Sequence, residues 1–176
     1  MTVSVFLGKD LEFPFYRPGV PGDQVRHAGV VRFLAALAAA DGVVLVSPAY
    51  HGAISGLLKN ALDYVNNLAA HPRPFLDGRA IGCVAVAAGE QGAASTLTTM
   101  RVVGHALRGW PTPLGVTVAG EHANLDADGV PRDPSTRERL QTMLGQVLHL
   151  SRVHSRQTPR PDQDLDEVAL PVQDLL

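Results

Sequence analysis

Four short apolar runs punctuate the chain, and stretches with helical periodicity separate them. Residues 3–7 (Val, Ser, Val, Phe, Leu) read as a first short strand. Val43, Val44, Leu45 and Val46 form a continuous apolar run, the mark of a strand covered on both faces. Residues 79–86 repeat that pattern, and residues 114–119 give a fourth strand. Between them, Val30, Leu34 and Leu37 recur at i, i+4 and i+7 and mark one face of a helix predicted over residues 25–40. Asp41-Gly42 stops it. A second helix is predicted over residues 56–68, capped by Ser55, with Leu57, Leu58, Ala61, Leu62 and Val65 as its buried face. A third follows the loop at 87–93 and runs to Arg108, with Gly109 and Pro111 as stop signals. Asp133-Pro134 opens the fourth, in which Leu140, Met143, Leu144, Val147 and Leu148 give the cleanest periodicity of the chain.

Strands that alternate with helices predict an α/β fold with a doubly wound parallel sheet. In such a sheet ligands sit beyond the carboxyl ends of the strands, where the strand order reverses. The loops at 47–55, 87–93 and 119–124 are therefore the expected site. Internal repeats and low-complexity segments are absent from the sequence.

Composition narrows the picture. A length of 176 residues suits one domain with a substantial core. Residues 1–154 are expected to form that domain, and residues 155–176, rich in Arg, Pro, Asp and Gln, a polar extended tail. Fifteen basic against 17 acidic residues leave a net charge of -2, which gives no footprint for nucleic acid or an anionic membrane. No apolar run is long enough to span a bilayer, and the amino terminus lacks a basic region followed by an apolar stretch. A cytoplasmic location is the expectation. The single cysteine, Cys83, lies mid-strand and reads as a small buried hydrophobe. The seven histidines show no ligand spacing. Residues 124–129 open like a calcium loop, but Ser135 stands where a glutamate is needed, so an Asx-rich turn is expected.

The most specific signal is the segment from Ser47 through Pro48, Ala49, Tyr50, His51 and Gly52, then Gly56, Leu58, Lys59, Asn60, Ala61, Leu62 and Asp63 to Tyr64. Tyr50 and His51, taken singly, read equally well as turn residues. The whole run resembles the signature of the NADPH-dependent FMN reductase family, a flavodoxin-like group. The likeness extends more weakly from about residue 11 to residue 149. It implies a flavodoxin-like doubly wound parallel sheet, FMN as cofactor and NADPH or NADH as hydride donor. It also implies electron transfer to free flavin, a quinone or another small acceptor, and a homodimer or homotetramer. Carried over by position, Pro48, Ala49, Tyr50, His51 and Gly52 would line one edge of the flavin ring. Gly89, Glu90, Gln91 and Gly92, which resemble the family's glycine-rich loop, would cover another. Reduction of a flavin by a nicotinamide needs the two rings positioned more than it needs an acid, so no catalytic acid or base is assigned. Lys59 and Asp63 read as a solvated i, i+4 pair, and the resemblance adds a cross-subunit use.

The sequence departs from the family at its start. The usual first strand, the phosphate-binding loop of Gly-Ser-x-Arg type and the first helix have no counterpart. Residues 11–18 resemble the family's stretch after its second strand. Loss of a central strand would leave main-chain groups unpaired. Three arrangements resolve this: the chain continues upstream, residues 3–7 take the first-strand position in a sheet of about four strands, or another chain supplies the strand. The second arrangement is the expectation, because it leaves no gap. An alternative function follows from the same departure: a flavin-less, non-catalytic interaction subunit.

Overall fold

The computed structural model describes residues 1–19 and 27–157. Helix α1 (Ala28–Ala39) leads into strand β1 (Gly42–Tyr50), which turns back through β2 (Ala53–Ile54) into helix α2 (Gly56–Asp63) and a 3-10 turn at Tyr64–Leu68. Strand β3 (Ala80–Ala87), helix α3 (Glu90–Ala106) and the short strands β4 (Trp110–Pro111) and β5 (Val116–Ala119) follow. A 3-10 turn at Gly120–Ala123 and helix α4 (Pro134–Gln157) complete the described fold.

β3 is the axis of the sheet. It pairs in parallel with β1 from Gly42↔Ala80 to Pro48↔Val86, and on its other side with β4 at its start and β5 at its end. Side chains alternate across the sheet. Leu45, Ile81, Cys83 and Ala85 face α1, α2 and Met100 of α3, together with Val30, Leu34, Leu37, Leu62 and Tyr64. Val84, Val116 and Val118 face Met143 of α4. Each fully buried aliphatic side chain contributes roughly 1.5–3 kcal/mol. Helix α4 lies close to the sheet because glycines meet it: a Cβ on Gly42 would stand 2.5 Å from Ser151 Oγ.

Arg79 is fully buried, and its guanidinium joins two layers. It donates to the carbonyls of Ala38 at 2.8 Å and Ala40 at 3.1 Å, and at 3.4 Å to those of Phe75 and Asp77. The last carbonyls of a helix lack intrahelical partners and carry partial negative charge, so a cation suits the end of α1. Burial lowers the guanidinium pKa to about 10. Cys83 is buried as expected, and burial pushes its thiol up to about 11.

Several expectations are corrected. Residues 3–7 join no ladder. Phe6 packs edge-on against Phe33, with ring centroids 5.4 Å apart, while Val3, Val5 and Leu7 are about two-thirds exposed. The four-stranded arrangement led by residues 3–7 is therefore not formed. The edge of β1 away from β3 has no strand partner from Gly42 to Ser47 among the described residues. The face of β1 toward α4 is covered only at its start, by Ser151 and Val147 over Gly42: Val44 is 41% exposed and Val46 57%. Leu57, expected inside, is exposed at 38%, and Leu144 and Leu148 are also exposed. The helix expected over 56–68 is an α-helix that tightens to 3-10 after Asp63. The expected tail from residue 155 is helical as far as Gln157, and residues 158–176 lie outside the described part.

Candidate functional site

The segment expected to be a loop, 47–55, is a hairpin. β1 continues to Tyr50, which pairs with Ala53, and Ala49 pairs with Ile54. Only His51 and Gly52 lie between, at φ 52° and φ 78°. A two-residue hairpin loop with both residues left-handed is the primed turn that matches strand twist. Glycine adopts it freely, and a polar residue such as asparagine or histidine tolerates the first position. The Tyr-His-Gly order thus has a backbone reason before any ligand is invoked. The turn residues lie outside the β1–β2 ladder, so their N–H groups are free of it.

Below the turn the hairpin is fixed to α2. Ser47, fully buried, accepts a hydrogen bond from the Ser55 N–H at 3.0 Å. Ser55 in turn caps α2 by accepting from the Leu58 N–H at 3.2 Å, as its position predicts. Asn60 and Tyr64 hold a different segment. The Asn60 side chain accepts from the Tyr16 N–H at 2.9 Å and donates to the carbonyls of Phe13 and Pro14. The Tyr64 hydroxyl donates to the Pro14 carbonyl at 2.9 Å, and burial raises its pKa. These two signature residues therefore bind residues 13–16 to the fold. Lys59 and Asp63 pair with each other at 2.6 Å on the exposed face of α2.

The second group of expected residues opens α3. The loop at 87–93 is shorter than anticipated: Gly89 is the N-cap, with φ -136°, and Glu90, Gln91 and Gly92 form the first turn. No side chain caps this end. The first N–H groups of a helix have no internal acceptors, so this terminus offers donors and partial positive charge. The two groups meet in space. A Cβ on Gly92 would lie 3.7 Å from the Cβ atoms of Ala49 and Ala87. The Ser95 hydroxyl donates to the Gly52 carbonyl at 2.7 Å. All nine expected residues, Pro48, Ala49, Tyr50, His51, Gly52, Gly89, Glu90, Gln91 and Gly92, thus stand at one end of the sheet.

The third loop closes the same end. A Cβ on Gly120, which sits at φ 56°, would lie 3.7 Å from the Ala88 carbonyl oxygen. His122 Nδ1 lies 3.5 Å from Asp133 Oδ2. Hydrogen bonding to Thr136 holds the Asp133 carboxyl below its ordinary pKa. The Asx turn is present, with Asp126 accepting from the N–H groups of Asp128 and Val130. Sequence reasoning missed Ser95, which carries no motif, and assigned Asn60 no partner.

This arrangement suits a planar heterocycle with carbonyl and nitrogen acceptors. Tyr50 is 60% exposed and its ring is available for stacking. A Cβ on Gly89 would meet nothing within 4 Å, and the uncapped helix start beside it carries main-chain donors. The residues fit the ring portion of FMN. For its phosphate the described residues hold no matching loop, since Gly8–Leu11 is a single 3-10 turn. No cluster of histidine, cysteine or acidic residues suited to a metal exists among the described residues.

Comparison with known proteins bears on the family and the fold. Residues 1–124 match the family profile described as NADPH-dependent FMN reductase. An FMN-dependent NADPH-azoreductase of Staphylococcus haemolyticus is 32% identical over 127 residues, covering 72% of this chain and 58% of its own. The chain spans between about a third and three-fifths of the length of the curated relatives it matches. Among solved structures, the flavoenzyme NAD(P)H:(acceptor) oxidoreductase FerB of Paracoccus denitrificans superposes with a TM-score of 0.65 at 20% identity. That match covers 82% of this chain and 78% of FerB. A flavodoxin, WrbA-like protein of Agrobacterium tumefaciens gives 0.53 at 19% identity, over 69% and 72% of the two chains. The fold is flavodoxin-like.

Proposed function

The chain belongs to the NADPH-dependent FMN reductase family, and from that premise we propose that it is an FMN-using NAD(P)H oxidoreductase acting on small electron acceptors. The observation that carries the reading is the junction of the His51-Gly52 turn with the uncapped start of α3, two elements with unpaired main-chain donors that lie side by side. Bound FMN would supply the hydride-accepting ring. The His51 and Gly52 N–H groups would donate to the ring's polar edge. The start of α3, through Gly89 to Gly92, would favour negative charge on the reduced ring. Tyr50 would stack beside the ring and exclude water from one side.

Free flavin, a quinone or an azo compound would be the acceptor; the azo class is supported by the names of the relatives. A homodimer or homotetramer and a cytoplasmic location belong to the same proposal. Among the described residues no helix is long and apolar enough to cross a membrane.

The test is a titration of FMN with the purified chain. Quenching of flavin fluorescence at micromolar concentration, then bleaching of the yellow colour by NADPH, is expected. An unquenched titration would remove the enzyme reading and leave the flavin-less interaction subunit.

A further inference from the structure

Helix α3 carries a row of hydroxyl side chains, and they divide by where they bond. Thr98 and Thr99 donate back to the carbonyls of Ala94 and Ser95 in their own helix, at 3.0 Å each. That is the usual local solution for such residues. Ser95 instead reaches out of the helix to the Gly52 carbonyl at 2.7 Å. Gly52 is half of a two-residue turn, and both halves are in the left-handed region. Its carbonyl belongs to the same peptide plane as the Ala53 N–H, so fixing that oxygen fixes the plane's rotation. The preceding peptide, which carries the Gly52 N–H, is then constrained through a single residue. Ser95 also lies in the second turn of the helix whose open start faces the hairpin. One hydroxyl therefore ties the turn to the helix that opens at residues 89–92, beside the packing of Gly92 on Ala49.

We propose that Ser95 is a positioning residue for the flavin ring, holding the His51-Gly52 turn in register with the start of α3. The inference rests on the flavin reading given above. Ser95 acts through the Gly52 carbonyl and not on the ring. Its contribution is preorganisation: with the tie in place, the ring meets donors that are already aimed.

The experiment compares the full-length chain with Ser95→Ala, Ser95→Thr and Thr98→Ala. Two quantities are read: FMN affinity by fluorescence quenching, and hydrogen exchange at residues 50–53 in the flavin-free protein. Ser95→Ala should weaken FMN binding about five-fold, the loss of one ordinary hydrogen bond. It should also speed exchange at the turn. Ser95→Thr keeps the hydroxyl at an exposed site and should restore both. Thr98→Ala removes a hydroxyl bonded inside the helix and should change neither. Equal affinity and equal exchange in Ser95→Ala and the parent chain would overturn the proposal. Faster exchange with unchanged affinity would leave the tie structural and also overturn it. If the parent chain takes up no FMN, the flavin reading itself falls, and the exchange data still score the tie alone.

Discussion

Two regions of the sheet handle the same problem in opposite ways. At the carboxyl end of β1 the main chain turns back into β2, Ser47 and Ser55 lock the turn to α2, and Ser95 ties its tip to α3. Along the start of the same strand, from Gly42 to Ser47, the outer edge has no strand partner among the described residues. Val44 and Val46 of this strand are exposed, and residues 3–7 form no ladder with it: Phe6 packs on Phe33 of α1 beneath the Arg32 guanidinium, and the Leu7 N–H donates to Asp10. The first region is over-determined by short-range bonds. In the second the ladder is to β3 alone, with no strand on its outer side among the described residues. The difference shows that the carboxyl end of β1 can be tied to two helices although the strand behind it is bare along one side.

The largest effect is expected where buried polar bonding is densest. Arg79→Met should cost about 3–5 kcal/mol, because it strands buried carbonyls that the guanidinium satisfies. A urea melt measures it, and a loss below about 1 kcal/mol would mean that water replaces the side chain. Asn60→Ala should cost about 2 kcal/mol by the same assay, since three hydrogen bonds to residues 13–16 go with it. Gly52→Ala should cost roughly 1–2 kcal/mol from the left-handed backbone alone, whereas His51→Asn should be neutral or slightly stabilising. Equal losses at both turn positions would contradict the primed-turn geometry. At the bare edge the expectation reverses: Val46→Lys should shift stability by less than about 0.5 kcal/mol. A larger loss would show that this edge is covered in solution, and would bring the two regions closer together.

Much of the fold could be read from residue order. The caps Ser55 and Asp133 are where side-chain chemistry places them, and the periodicity of Val30, Leu34 and Leu37 identifies the buried stripe of α1. The failures share one cause. Residues 3–7 and Val44 and Val46 have strand-like or doubly covered patterns. Such a pattern reports what a segment is suited to bury, not whether a neighbour is there to bury it. Ladder formation is a property of pairs, and a single apolar run carries no information about its partner. The site followed the same logic. The hairpin residues carry local backbone signals, left-handed turns above all, and their grouping was legible. The Ser95 bond joins positions 43 residues apart, and the Arg79 bonds to α1 span 39 and 41, so no short-range pattern announces them.

Cys83 has a practical consequence. It is the sole thiol of the chain, shielded in the middle of β3 and held protonated by its surroundings. Its side chain lies in the core between the sheet and α1, α2 and α3, so a disulfide reagent reaches it only after that layer opens. Labelling in native buffer therefore reports that opening, as a population when reclosing is fast and as a rate when it is slow, without any engineered probe. Adding FMN to the same assay would turn one sulfur atom into a gauge of how firmly an occupied crevice clamps the middle of the sheet.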